Sequence, residues 1–146
     1  MAKSISMMAE NYSVRLMSIS EVLKVESKEV LYNAGVNLAS ENFQQVRASD
    51  LNEALSMITE YYKRKELGNL AIDGANKGIL LVRIYDCTTC VAAKNDGQTH
   101  CWIDAGFIAG ALKEMLQIDY VVIETKCRGT GSEYCEFMIA RKRFTG

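Results

Sequence analysis

The chain of 146 residues has no proline, a single histidine, a single tryptophan and no excess of either charge. Its 17 Lys and Arg stand against 18 Asp and Glu, for a formal net charge of −1. Near neutrality removes the bulk attraction that draws a protein to nucleic acid or to an anionic membrane. The one basic run, Arg141-Lys142-Arg143, is short and reads as a solvated tail. Apolar runs such as Gly78 to Val82 and Tyr120 to Ile123 fall far below the ~20 residues that cross a bilayer, so no membrane insertion is expected. Met1 to Ser13 mixes Lys3, Glu10 and Asn11 with small residues and lacks the apolar stretch of a secretory signal. These absences point to the cytoplasm, where thiols stay reduced. Catalytic templates are missing too. No phosphate-cradling loop or GxGxxG is present, and no imidazole beyond His100 is free to activate a Ser or Cys nucleophile. Enzyme status is therefore not supported.

What the chain does have is core and sulfur. At 49% hydrophobic residues it has the composition of an ordinary globular domain. A chain of this size buries roughly 68–70% of its unfolded surface and needs neither disulfide nor metal merely to acquire a core. It nevertheless carries five cysteines, an odd number, all between positions 87 and 135.

The first half reads helical. Val30, Ala34 and Leu38 recur at four-residue spacing, with Leu31 and Phe43 extending the face, which predicts an amphipathic helix over 27–42. Asp50-Leu51-Asn52-Glu53 is a capping-box signature. The apolar positions Leu51, Leu55, Ile58 and Tyr62 carry a second helix to about Lys65, with Gly68 placed as its cap. Residues 1–26 form an arm or a first element of the same domain. The second half changes character. Lys77 to Tyr85 reads as a strand, and Cys101 to Leu116 as a helix apolar almost all round, which requires cover on both sides. Gly106 and Gly110, one turn apart, let another backbone approach, either a sheet or a partner subunit. Tyr120 to Thr125 and Tyr134 to Arg143 read as a hairpin around Arg128-Gly129-Thr130-Gly131-Ser132. The expected architecture is α+β, a single domain with a mainly antiparallel sheet packed with helices.

Chemistry concentrates in the hairpin. Cys127 and Cys135 flank its turn, and Glu124 precedes Cys127 by one short step. Cys101 opens the apolar helix, where free N–H groups and the helix dipole stabilise a thiolate. Three thiolates and one carboxylate could close a tetrahedral zinc site. The competing reading treats the three cysteines as small buried hydrophobes. An acidic residue inside an apolar strand argues against it, because Glu124 then wants a partner or a metal. His100, beside Cys101, is an alternative fourth ligand or an ordinary first-turn residue.

Cys101-Trp102, the small-residue helix with Gly106 and Gly110, and Glu124-x-x-Cys127-x-x-Gly-x-x-x-Cys135-x-Phe137 carry a resemblance over about 77–140 to the 4-vinyl reductase domain family, also called hydrocarbon-binding domains. The resemblance implies an α+β ligand-binding fold, similar to transport-particle subunits and haem–nitric-oxide sensors and often dimeric. In phenol-sensing members, a Glu and three Cys hold a structural zinc beside an apolar pocket for aromatic ligands. Here those positions are Cys101, Glu124, Cys127 and Cys135. The partner so implied is a hydrophobic or aromatic small molecule, with Tyr85, Trp102 and Phe107 as candidate pocket walls. Cys87-Thr88-Thr89-Cys90 lies outside this set, as a redox pair, a second metal-related pair, or a contributor to a mixed site with Cys101. Two other function classes stay open: a homodimeric interaction protein like the transport-particle subunits, and a CxxC thiol redox enzyme.

Overall fold

A computed structural model describes residues 27–143, so the expectation for residues 1–26 lies outside the described residues. The chain order is α1 (Ser27–Phe43), α2 (Leu51–Arg64), β1 (Asn69–Asn76), β2 (Ile79–Tyr85), α3 (Trp102–Leu116), β3 (Tyr120–Lys126), a 3-10 turn (Arg128–Thr130) and β4 (Cys135–Arg141). The four strands form one antiparallel sheet in the order β1-β2-β4-β3. This is the expected α+β architecture. No helix among the described residues is long and apolar enough to cross a membrane.

Alternation along the strands sends Val82, Ile84, Val122, Phe137 and Ile139 to one face, all buried. Helix α3 covers that face, α2 lies against β1, and α1 packs along α3 on the side away from the sheet. Helix α3 is thus enclosed between sheet and α1, which is why ten of its fifteen residues are buried and its apolar residues run all round. The cover over Gly106 and Gly110 is therefore α1 of the same chain, not the sheet or a partner. A Cβ on Gly106 would run into the Tyr32 carbonyl, and one on Gly110 would lie 2.8 Å from the Val36 oxygen. Gly35 answers from α1, where a Cβ would strike Ile103 and Phe107 backbone.

That contact overturns one expectation. Helix α1 exists where periodicity placed it, but it buries Gly35, Ala39 and Phe43. Of the expected core face, Phe43 is buried and Leu31 half-buried, but Val30, Ala34 and Leu38 point outward, with Val30 50% and Leu38 41% exposed. Close backbone approach through small side chains won over the larger apolar residues. Helix α2 is capped as expected, with the Asp50 carboxylate accepting from the Glu53 N–H at 2.9 Å. Glu53 reaches back to the Ser49 N–H instead of completing the box on Asp50. Gly68 is not the cap: Lys65 ends the helix, Glu66 takes the left-handed conformation at φ 55°, and Gly68 is needed at φ 143°, pressed against Ile84.

Strand β1 is an addition that the sequence reading lacked. It joins β2 through Lys77 and Gly78, both at positive φ (50° and 80°), as a two-residue hairpin turn requires. Register shifts occur at Asp73 in β1 and at Thr125 in β3. Each is an extra residue bulging from its strand.

Candidate metal centre

In this antiparallel sheet the ends of β2 and β3 and the start of β4 lie at one edge, and the start of α3 comes down onto it. All five cysteines gather there, free and buried. Asp86, at φ 53°, turns the chain out of β2 in a conformation that Asp tolerates better than most residues, and Cys87 and Cys90 follow on the turn. Cys101 is the N-cap of α3, with no side-chain cap of its own. Its backbone N–H donates to Glu124 Oε2 at 2.7 Å. Cys135 pairs in register with Ile84 and so points to the buried face. Cys127 caps the 3-10 turn, and its Sγ accepts from the Gly129 N–H at 3.2 Å.

Among the described residues the donor atoms fall into two sets, each mutually within 4.8 Å. One is Cys87, Cys90, Cys101 and Cys135, and the other is Cys101, Glu124 and Cys127. The four ligands expected from sequence are thus divided between sets that share Cys101. The leftover pair, Cys87 and Cys90, sits in the same cluster. Sγ–Sγ separations are 3.7 Å for Cys87–Cys101, 3.5 Å for Cys101–Cys135 and 3.3 Å for Cys90–Cys135. His100 belongs to neither set: its Nε2 pairs with the Asp96 carboxylate at 2.9 Å, in a loop that lies on Gly129.

The buried thiols and the buried acid bear on one another's ionisation. Four thiols in one dry pocket cannot all ionise unaided, so protons are shared among them. S–H donation from Cys101 holds Cys87 and Cys90 below the usual thiol range, while Cys101 is driven well above it, through Cys127 and then Cys135. Burial, reinforced by Cys127, pushes the Glu124 carboxyl up to about 10. Its Oε1 is buried with no hydrogen-bond partner. An orphaned carboxyl oxygen beside buried thiols is a donor set that fits a thiophilic divalent ion, which would displace the protons.

A second buried acid, which the sequence reading missed, stands nearby. Asp104, 6% exposed on the first turn of α3, accepts from the Tyr62 hydroxyl at 2.6 Å, while its Oδ2 lacks a partner. Its one sequence signal was a charge among the apolar residues at the start of α3. Burial pushes its carboxyl from 3.8 up to about 6, despite Thr89 and Tyr62 beside it. The folded chain therefore binds this proton more tightly than the unfolded chain. The stability this lends is complete below about pH 4 and is lost as the pH rises through about 6. Asp104→Asn keeps an acceptor for Tyr62 and removes the titration. Between pH 4.5 and 7.5 its unfolding free energy should gain on the wild type by about 2 kcal/mol. Parallel denaturation curves across that range would refute the assignment.

The three candidate pocket walls have separate surroundings. Tyr85 is 41% exposed beside Tyr134, on the face of the sheet away from α3. Trp102 donates to the Thr99 carbonyl and lies under Lys28, whose Nζ is 5.2 Å from the ring. Phe107 lies behind a concavity without lining it. It stacks on Tyr61 at 5.0 Å and meets Phe43 edge-on at 5.9 Å. Those two rings line a groove of about 430 Å³ between the end of α1 and α2, with Val46, Met57, Glu60 and Arg64. The volume falls within the range of small-molecule sites.

The family model of the 4-vinyl reductase domain matches residues 80–141, a span that contains all six donors. An uncharacterized protein of Methanocaldococcus jannaschii, MJ0150, is 33% identical over 110 residues, covering 75% of this chain and 62% of the relative. The chain thus spans somewhat under two thirds of that relative's length. Among solved structures, a trafficking protein particle complex subunit 3 from Naegleria fowleri, covalently bound to palmitic acid, superposes with a TM-score of 0.72. It is 14% identical, with 94% of this chain and 97% of that chain covered. The phenol-responsive sensory domain of the transcription activator PoxR, with phenol, gives 0.69 at 12% identity, covering 91% and 74%. At those identities the likeness is one of fold. Residues 80–141, with the buried thiol cluster and the helix they build, are the part of the chain that the 4-vinyl reductase domain model matches.

Proposed function

We propose that this chain is a small-molecule-binding or sensing domain in which one thiolate-held zinc ion fastens the end of the sheet to the start of α3. The observation that carries this reading is the convergence of five buried thiols and Glu124 within the span matched by the family model. The ligand set implied by the family resemblance is Cys101, Glu124, Cys127 and Cys135. The ion would supply a structural crosslink, and the chain's own residues do the binding. The ligand is a hydrophobic or aromatic small molecule, the class to which the phenol of the PoxR domain belongs. The groove over Phe43 and Tyr61 is its seat, with Arg64 at the rim to meet a polar end. Reduced thiols suit a cytoplasmic protein.

Titrating zinc-loaded protein with phenol and with a medium-chain fatty acid tests the binding. A saturable rise in melting temperature is expected for at least one of them, lost in Tyr61→Ala. No saturable change with either would remove the groove as the ligand site.

The runner-up reading, a homodimeric interaction protein, is favoured by one observation: the outward stripe of Val30, Ala34 and Leu38 on α1. A second copy would cover it. Light scattering should then give a dimer that Leu38→Glu dissociates. A wild-type monomer at high micromolar concentration ends that reading.

A further inference from the structure

We infer that the resident ion is held by four thiolates, Cys87, Cys90, Cys101 and Cys135, with Glu124 and Cys127 standing behind Cys101 as its supports. The inference rests on the reading above that the domain binds one thiophilic divalent ion, and it changes which residues hold that ion.

Three observations carry it. The first is distance. A tetrahedral ion with sulfur ligands at roughly 2.3 Å spaces those sulfurs about 3.8 Å apart. All four Sγ atoms lie within 4.8 Å of one another, and three of the six edges are 3.3, 3.5 and 3.7 Å. Polynuclear iron–sulfur clusters place iron and sulfide between their thiolates and need a more open set, so these spacings select a single ion. The mixed set offers only three mutually close donors, Cys101, Glu124 and Cys127.

The second observation is the backbone role that Glu124 and Cys127 already have. Glu124 Oε2 accepts the Cys101 N–H, with Oε1 left unpartnered, and Cys127 Sγ accepts the Gly129 N–H and faces the Gln98 carbonyl at 3.7 Å. Each holds a backbone element in place. Glu124 in particular caps the start of α3, where Cys101 has no side-chain cap. Cys87, Cys90 and Cys135 have other thiols as their side-chain hydrogen-bond partners.

The third is burial without another reason. Cys87 and Cys90 are 6% and 2% exposed on an irregular turn, a place where small polar residues ordinarily serve. Charge does not separate the two sets. Four thiolates with a divalent ion sum to −2, as do three thiolates with one carboxylate. Geometry therefore decides between them. The consequence for the fold is that the ion ties the end of β2 to α3 and β4, whereas the mixed set would tie β3 to them.

X-ray absorption at the zinc edge of the full, unmodified chain tests this directly. The expected first shell is four sulfurs at about 2.3 Å and no oxygen. Three sulfurs with one oxygen at about 2.0–2.2 Å would overturn the inference while leaving the metal reading intact. A chain that retains no zinc after equilibration and gel filtration would overturn both. As a second measurement, cobalt(II) is loaded into variants. Cys87→Ser and Cys90→Ser should each lose about a quarter of the sulfur-to-cobalt absorption per ion, or bind cobalt at least tenfold more weakly, while Glu124→Gln keeps the wild-type spectrum. Full absorption in both serine variants would also overturn it.

Discussion

Cys101→Ser is expected to lose the bound ion and to lower the melting temperature by roughly 10–20 °C, the largest effect of any single substitution at the centre. Cys101 belongs to both donor sets, so the result does not depend on which set holds the metal. The physical basis is that metal binding to a site absent from the unfolded chain adds directly to folding free energy. In zinc-finger peptides without a core, that term is about 10–16 kcal/mol and decides folding outright. Here Leu55, Ile58, Tyr62, Ile84, Ile108, Leu112, Phe137 and Ile139 form a core independent of the ion. The loss should therefore be a fraction, about 3–5 kcal/mol, against a typical domain stability of 5–15 kcal/mol. A strong chelator added to wild type should reproduce the shift, and added to the variant should do nothing. Identical melts for wild type with and without chelator would show that the thiols contribute only packing.

Gly106→Ala should destabilise by about 2–3 kcal/mol, although alanine is ordinarily the better helix former by up to about 1 kcal/mol. The added methyl meets the Tyr32 carbonyl group, with Tyr32 Cα 2.9 Å away. This neighbour is helix backbone and has no rotamer to change. Relief requires α1 and α3 to move apart, which opens the contact along Gly35, Ala39 and Gly110 as well. Gly74→Ala is the control, since nothing lies within 4 Å of a Cβ there and its φ is not positive. Equal melting temperatures for the two variants would mean that the helices tolerate separation, and the close approach would then have no energetic weight.

The elements that the sequence made legible are those with strong local signals. Asp50 and Glu53 marked the start of α2, and the unbroken apolar run of α3 announced a helix covered on both sides. β1 was not legible because Asn69–Asn76 alternates weakly, has only Leu70 buried, and owes its place to pairing with β2. The orientation of α1 was not legible either. A hydrophobicity pattern ranks Val30 and Leu38 above Gly35 and Ala39, whereas the contact with α3 depends on how near the backbones can come. At the candidate metal centre, spacing picked out Cys101, Glu124, Cys127 and Cys135 because a hairpin and a helix start make their proximity predictable. Cys87 and Cys90 depend on the irregular turn after Asp86, which has no periodicity to read. The groove residues Phe43 and Tyr61 come from different helices, so only tertiary packing reveals that they face one another.

The bulges at Asp73 and Thr125 fall on β1 and β3, the two outermost strands among the described residues. Each extra residue is tied inward: Asp73 pairs with Arg83 at 3.0 Å, and the Thr125 hydroxyl bonds Glu136 at 3.0 Å. A strand interrupted in this way presents no straight ladder of unpaired amides to a neighbouring molecule. The sheet is thereby guarded against edge-to-edge extension and the aggregation that follows from it. Self-association that respects these guards is left with helix surfaces and sheet faces for its contacts.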